Sequence, residues 1–383
     1  MSRPAAKGWC PSALRPMKSG DGLLVRIKPN FGQLNSKQLL VLADCLDDFG
    51  NGLLDITSRT NLQIRGVKEQ NYSNLILKLQ AEGLLGKSEK LDRLNVIVPP
   101  FIRKNSLTWR CASQVYSSVE NLPLLPEKFG FCIDCDESRY LSNQSGDIFI
   151  ERSSGSGLVL RCAGLKKAFS TDESNLTSDV KKIIGWYLEK QNSEETERPM
   201  RMRDIVSKNK FPWKTSNELK KPLLEEVTVG SYQGYFVLAA PFGQLKSEHL
   251  RKLAAVNQKI QFTINRMLIT ESLPDKNHGL VNEPHDIRLK MNVCPGAPHC
   301  SSATIKTRHL AESLAHQKEF ILGGNIHISG CYKGCASPNS KDMCIVGNEG
   351  TYDIVEKGYA WDKPVVKCSS QTSVLEHLKE IRS

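Results

Sequence analysis

No stretch of this 383-residue chain is apolar for long: runs such as Tyr235 to Ala240 fall far short of a bilayer span. The opening MSRPAAKGWC has no apolar core of the kind a signal peptide needs, so no export is expected. No arginine-rich tract or aromatic-spaced basic ribbon is present, which removes nucleic acid from the expected partners. No Gly-x-Gly-x-x-Gly follows a strand-like run, so the chain has no fingerprint for reading a dinucleotide itself. Histidine is missing from the first 248 residues; all eight lie from His249 onward. These gaps describe a soluble, cytoplasmic protein without membrane partners, in which twelve cysteines serve metal ligation rather than disulfides.

Hydrophobic residues make up 39% and charged residues 24%, ordinary values for a chain long enough to bury two or three cores. Lysine and arginine number 52 against 41 acids, a net charge of +11. Much of that surplus is plain solvated surface, but it also suits a polycarboxylate ligand.

The chain repeats itself. FGQLNSKQLLVLA from Phe31 recurs as FGQLKSEHLRKLA from Phe242, with eight of thirteen positions identical at an offset of 211. A period this long marks a duplicated lobe, not a solenoid. Leu94-Asn95-Val96 recurs as Met291-Asn292-Val293, and Gly146-Asp147-Ile148 as Lys341-Asp342-Met343 at offset 195, which Gly155 and Gly350 share. Each half opens with a strand, Leu23 to Lys28 or Tyr235 to Ala239. A Phe-Gly turn then leads into a helix capped by Ser36 or Ser247. A second strand pair over Leu53 to Val67 and an amphipathic helix from Asn74 to Leu85 complete a ferredoxin-like unit. The expected division is α+β: residues 1–86 and 227–275 as ferredoxin-like halves, 87–188 and 276–383 as mixed α/β lobes, and 189–226 as a polar linker or excursion containing Pro199, Pro212 and Pro222. In the first lobe, Phe129 to Ile133 and Asp147 to Ile150 are expected to pair antiparallel before a hairpin through Gly155 and Gly157. In the second, a hairpin at Asn348-Glu349-Gly350 and a helix from Ser373 to Arg382 close the chain.

Four thiols concentrate between Asn292 and Ser337. Cys294 and Cys300 are separated by five residues, Cys331 and Cys335 by three. Four cysteine thiolates hold a [4Fe–4S] cluster, and the backbone must approach it closely, which suits the neighbouring Gly296, Ala297, Gly330, Gly334 and Ala336. A zinc site competes, although its cysteine pairs usually stand two to four residues apart. Four unligated core cysteines would leave the glycines and prolines unexplained. Val96 to Pro99 stand where a first cysteine would fall in the other half, so the cluster belongs to the second lobe alone.

Strand alternation over Thr57 to Arg65 puts Arg59, Asn61, Gln63 and Arg65 on one face, with Arg26 and Lys128 positioned to join them. Such a face meets water or grips carboxylates with forked guanidinium donors. Lys333 sits between two cluster cysteines and would offset thiolate charge or meet a substrate carboxylate. His285, Asp286, His299 and His327 are candidate ligands of a single iron by residue type alone, against the plain reading of each as a surface or satisfied interior residue. Cys132 and Cys135 form a lone CxxC whose side chains should point to opposite faces of a strand; a structural role is expected.

The duplication and the cysteine gaps of five and three resemble the sulfite and nitrite reductase superfamily across nearly the whole chain. Several segments are similar to the precorrin-3B synthases: CPSALRPMKSGDGLLVRIKP from Cys10, HDIRLKMNVCPGAPHCSSA from His285, ISGCYKGCASP from Ile328 and IVGNEGTYDIVEKGYAWDKP from Ile345. The resemblance implies the duplicated reductase-like architecture, with the cluster on Cys294, Cys300, Cys331 and Cys335, a tetrapyrrole carboxylate on Arg59, and Lys128 matching a lysine of the reductases' anion pocket. Gly130 and Leu94 depart from the superfamily, whose reductases carry a second pocket lysine and an arginine there. The implied reaction hydroxylates precorrin-3A at C20 and closes a γ-lactone. It uses O₂, NADH-derived electrons from a separate reductase, and a non-haem iron beside the cluster. Two alternatives stand beside it: a siroheme-dependent sulfite or nitrite reductase, and a non-catalytic iron–sulfur electron-transfer subunit.

Overall fold

The computed structural model describes residues 4, 10–86, 88–154, 157–194, 196, 198–216, 223–275, 278–317 and 324–380. Gly155, residues 217–222 and the expected helix end at Arg382 lie outside them.

The two ferredoxin-like halves are interlocked rather than adjacent. One sheet runs in the order Met17–Ser19, Gly22–Ile27, Leu62–Val67, Leu53–Ile56 and then Gln244–Lys246, a strand from the second half. Its counterpart runs Gly230–Tyr232, Tyr235–Ala239, Met267–Thr270, Lys259–Thr263 and then Gln33–Asn35, from the first. The repeated Phe-Gly makes this exchange possible. Phe31 and Phe242 adopt φ of 58° and 52°, throwing the chain across to the other sheet before each helix begins. Leu39, Leu42, Leu54, Leu250, Leu253 and Phe262 then share a single core, so the halves form one body. The first helix, Ser36–Phe49, is capped one residue earlier than expected: Asn35 accepts from the Gln38 N–H at 2.9 Å, and Gln38 accepts from Asn35 N–H at 3.1 Å. At the start of Ser247–Val256 the His249 ring accepts from the Lys246 N–H instead.

Each α/β lobe carries a five-stranded sheet of one plan. Val96–Ile97, Phe131–Asp134 and Ile148–Arg152 run parallel, followed by antiparallel Leu158–Cys162 and Phe169–Thr171. Met291–Val293, Ile326–Ser329 and Lys341–Asn348 repeat the parallel set, followed by Thr351–Gly358 and Val366–Cys368. The expected antiparallel pairing of the Phe131 and Ile148 strands is therefore corrected: the loop after Asp134 carries the chain back, so both strands run the same way. One offset has to serve all three parallel strands, so Val96 cannot match Val293 while Ile148 matches Met343. The closing hairpin is a two-residue turn, Glu349 at φ 49° and Gly350 at φ 86°, between paired Asn348 and Thr351.

The described part of residues 189–226 contains packed structure. The helix Met202–Lys208 buries Met202 and Ile205 completely in the first lobe's core, and Phe211 and Trp213 pack edge-on against Trp186. Proline and charge there mark a surface excursion that returns to its own lobe.

Candidate functional site

The four cysteines converge. Cys294 ends the strand Met291–Val293 and is buried, with its carbonyl held by Thr307 Oγ1 at 2.6 Å. The Gly330 N–H, from the loop carrying Cys331, donates to Cys294 Sγ at 3.1 Å. The cradle has no room for side chains: a Cβ at Gly330 would lie 2.4 Å from Ala303 Cβ, and one at Gly296 2.2 Å from Thr307 Oγ1. Burial raises the pKa of Cys294 and Cys335, and for each the neighbouring cluster cysteines push in the same direction. Four cysteines, once deprotonated, would be a donor set that a cationic iron–sulfur core satisfies. Among the described residues, no three His, Cys, Asp or Glu side chains gather closely enough for a single metal ion. The chemistry of this donor set fits a [4Fe–4S] cluster.

The structure places the mononuclear-iron candidates in separate surroundings. Asp286 is held by Arg288 in contacts of 2.6 to 3.1 Å, and His299 Nδ1 stands 2.8 Å from Asp21. His327 is fully buried in the strand Ile326–Ser329 with neither ring nitrogen partnered. Burial, then Lys341 and Arg266, lower its pKa to about 4. His285 joins none of them in a ligand set.

The polar face of the first sheet is real, and the structure divides it. Arg26, Gln63, Asp55 and Gln244 form one row across four strands. With its amide oriented to suit, Gln63 accepts from Arg26 Nη2 at 2.6 Å and Nε at 3.0 Å. Arg65 lies beside that row but is only 2% exposed, enclosed by Asp21, Asp55, Ser19 and the His299 carbonyl. It faces the cluster lobe rather than an open pocket; alternation gave its side of the sheet but not what covers it.

Arg59 and Asn61 precede the strand, in a turn closed by Thr57 Oγ1, which accepts from both backbone N–H groups, with Thr60 at φ 63°. One arm of Arg59 donates to Ser145 Oγ at 2.8 Å; the other, Nη2, is buried without a partner. Burial lowers the Arg59 pKa, the penalty of a cation short of acceptors. A Cβ at Gly130 would stand 2.7 Å from Nη2, so glycine there makes room for this guanidinium. Asn61 lines a cavity of about 200 Å³ with Lys28, Gln33, Leu94 and Tyr116. Lys128 is exposed and lines a cleft of about 370 Å³ with Cys10, Arg93, Tyr187 and Arg201. Lys333 donates to Ser302 Oγ at 2.6 Å, tying the two cysteine loops together. The CxxC cysteines point apart as expected: Cys132 toward the Ser145 carbonyl, Cys135 toward that of Ile150.

Comparison with known proteins agrees with this architecture. Residues 15–82 match the Nitrite/Sulfite reductase ferredoxin-like half domain. The fold superposes on the NirA protein of Mycobacterium tuberculosis with a TM-score of 0.63 at 16% identity, covering 99% of this chain and 84% of that one. The chain is thus similar to members of the sulfite and nitrite reductase superfamily, a class of oxidoreductases. Within that class it is 27% identical to the precorrin-3B synthase of Sinorhizobium sp, over 92% of this chain and 83% of the relative. It is 23% identical to a ferredoxin–nitrite reductase of Leptolyngbya laminosa, over 89% and 79%. Among the described residues no helix is long and apolar enough to cross a membrane.

Proposed function

We propose that the chain is a precorrin-3B synthase, hydroxylating precorrin-3A at C20 with closure of a γ-lactone, using O₂ and NADH-derived electrons from a separate reductase in the cytoplasm. The observation that carries this reading is the anion pocket. Where the siroheme reductases are expected to have an arginine, Leu94 is 4% exposed and apolar; where they have a second lysine, Gly130 leaves its space to Arg59. Both changes remove positive charge needed for a small inorganic anion and keep a forked donor suited to an organic carboxylate.

In this reading Cys294, Cys300, Cys331 and Cys335 hold the [4Fe–4S] cluster, which supplies electrons one at a time. A non-haem iron is part of the proposal, but its ligands are not assigned to any residue. Arg59, fixed by Ser145, presents its free arm to an acetate or propionate, and Lys128 and Arg26 provide further positive charge. Gln63, by accepting from Arg26, sets the direction of that guanidinium. The Arg59 arm also disfavours the non-catalytic relay, which has no use for a buried, partnerless carboxylate donor. A siroheme-dependent reductase remains the reading to displace. Anaerobic incubation with precorrin-3A, then O₂ and an electron source, tests the proposal: formation of the hydroxylated lactone supports it, and sulfite or nitrite reduction without lactone formation overturns it.

A further inference from the structure

Arg65 takes no part in the substrate reading above, yet among the described residues it is the largest fully buried side chain. Its guanidinium makes four directed contacts: Nη1 to Asp55 Oδ2 at 3.1 Å, Nε to Asp21 Oδ2 at 3.4 Å, and Nη2 to Ser19 Oγ at 3.1 Å and to the His299 carbonyl at 2.6 Å. His299 immediately precedes a cluster cysteine. Its carbonyl also accepts from Ser19 Oγ, and its ring meets Asp21 at 2.8 Å. Between Ser19 and Asp21, Gly20 presses so near the same loop that a Cβ there would be 2.3 Å from the Pro298 carbonyl oxygen.

The other end of the loop is tied to the same hub. Asp55 also accepts from Arg308 Nη2 at 2.6 Å, next to Thr307, whose hydroxyl holds the Cys294 carbonyl. Two carboxylates, Asp21 and Asp55, thus lie between two guanidiniums, Arg65 and Arg308. Charges match in number; Arg65 pairs with both carboxylates inside the first half, and the contacts with His299 and Arg308 cross to the cluster lobe. A buried ion network of this kind contributes little net stability compared with an apolar core, but it fixes geometry closely.

We propose that Arg65 is a positioning residue of the metal centre: it latches the Cys294–Cys300 loop from a strand 234 residues away, so that retention of the cluster depends on docking of the first half. The inference rests on the assignment of the four cysteines to a cluster, and not on the identity of the substrate.

The test measures iron release to bathophenanthroline from anaerobically purified, cluster-loaded protein, with hydrogen exchange of residues 295–301 in parallel. Arg65→Met should release iron about tenfold faster, the scale of one charge-assisted hydrogen bond, and exchange in the loop should rise. Arg65→Lys, which keeps the charge without the fork, should fall between the two. Arg161→Met is the control, because Arg161 pairs with buried Glu151 at 2.9 Å in the other lobe. It should lower the melting temperature and leave iron release unchanged. Equal release from Arg65→Met and the parent protein, or equal acceleration in the Arg161 control, overturns the latch. If Arg65→Met does not fold, Ser19→Ala decides, with release faster than the parent supporting the proposal and identical release refuting it. A parent protein without iron would refute the cluster assignment itself, a different outcome from failure of the latch.

Discussion

Arg59→Met separates binding from stability. In the fold, one guanidinium arm is satisfied by Ser145 and the other is buried without an acceptor. A substrate carboxylate would complete it with a charge-assisted hydrogen bond worth about 1.5–3 kcal/mol. Removing the side chain should therefore weaken tetrapyrrole binding by roughly 10- to 150-fold. Stability should change in the other direction or hardly at all, since the variant relieves a desolvated cation short of partners. Methionine occupies much of the same volume, so cavity formation should be small. The assay is equilibrium fluorescence titration with a porphyrin octacarboxylate, paired with urea unfolding and iron content of the same samples. Unchanged affinity with unchanged iron would remove Arg59 from the substrate face. Lost affinity together with lost iron would mean that the substitution acts through the fold, not through a carboxylate contact.

Three further outcomes follow from the same geometry. Cys331→Ser should abolish most cluster absorbance and acid-labile sulfide, while Cys132→Ser, outside the thiol set, should retain both. Gly330→Ala should lower cluster occupancy, because the new methyl meets Ala303 at 2.4 Å and displaces the N–H that reaches Cys294; a fully loaded variant would contradict the cradle. Asp134 is buried, and burial raises its pKa to about 6 despite the Tyr140 and Leu141 N–H groups at 2.9 Å. The folded chain therefore binds its proton more tightly than the unfolded one, and this residue's contribution to stability should grow as the pH falls from about 7 toward 4. Asp134→Asn should flatten that dependence in urea midpoints compared with the parent; identical pH profiles would contradict it.

What could be read in the sequence follows from which constraints are local. The four cysteines of the proposed cluster stand out in the sequence because spacing and small neighbours are local features. The duplication was legible from Phe31 and Phe242, but the exchange of Gln33–Asn35 and Gln244–Lys246 was not, since pairing with a distant strand leaves no mark on a three-residue run. Alternation placed Gln63 and Arg65 on one face correctly. It could not say that His299 and Asp21 would cover Arg65, because parity specifies a side of a sheet and not the occupant above it. Parallel and antiparallel neighbours likewise share one residue pattern, which is why the Phe131 and Ile148 strands were expected in the wrong relative direction. Parity alone separates Cys132 from Cys135, because both sit on or beside one short strand.

The most direct measurement is an absorption and electron paramagnetic resonance spectrum of protein purified without oxygen, with iron, sulfide and zinc determined on the same sample. The expected result is a broad iron–sulfur shoulder, a reducible [4Fe–4S] signal and no haem bands. Strong Soret and long-wavelength bands would mean bound siroheme and return the protein to the sulfite and nitrite reductases. A colourless, zinc-filled protein would contradict the metal centre itself.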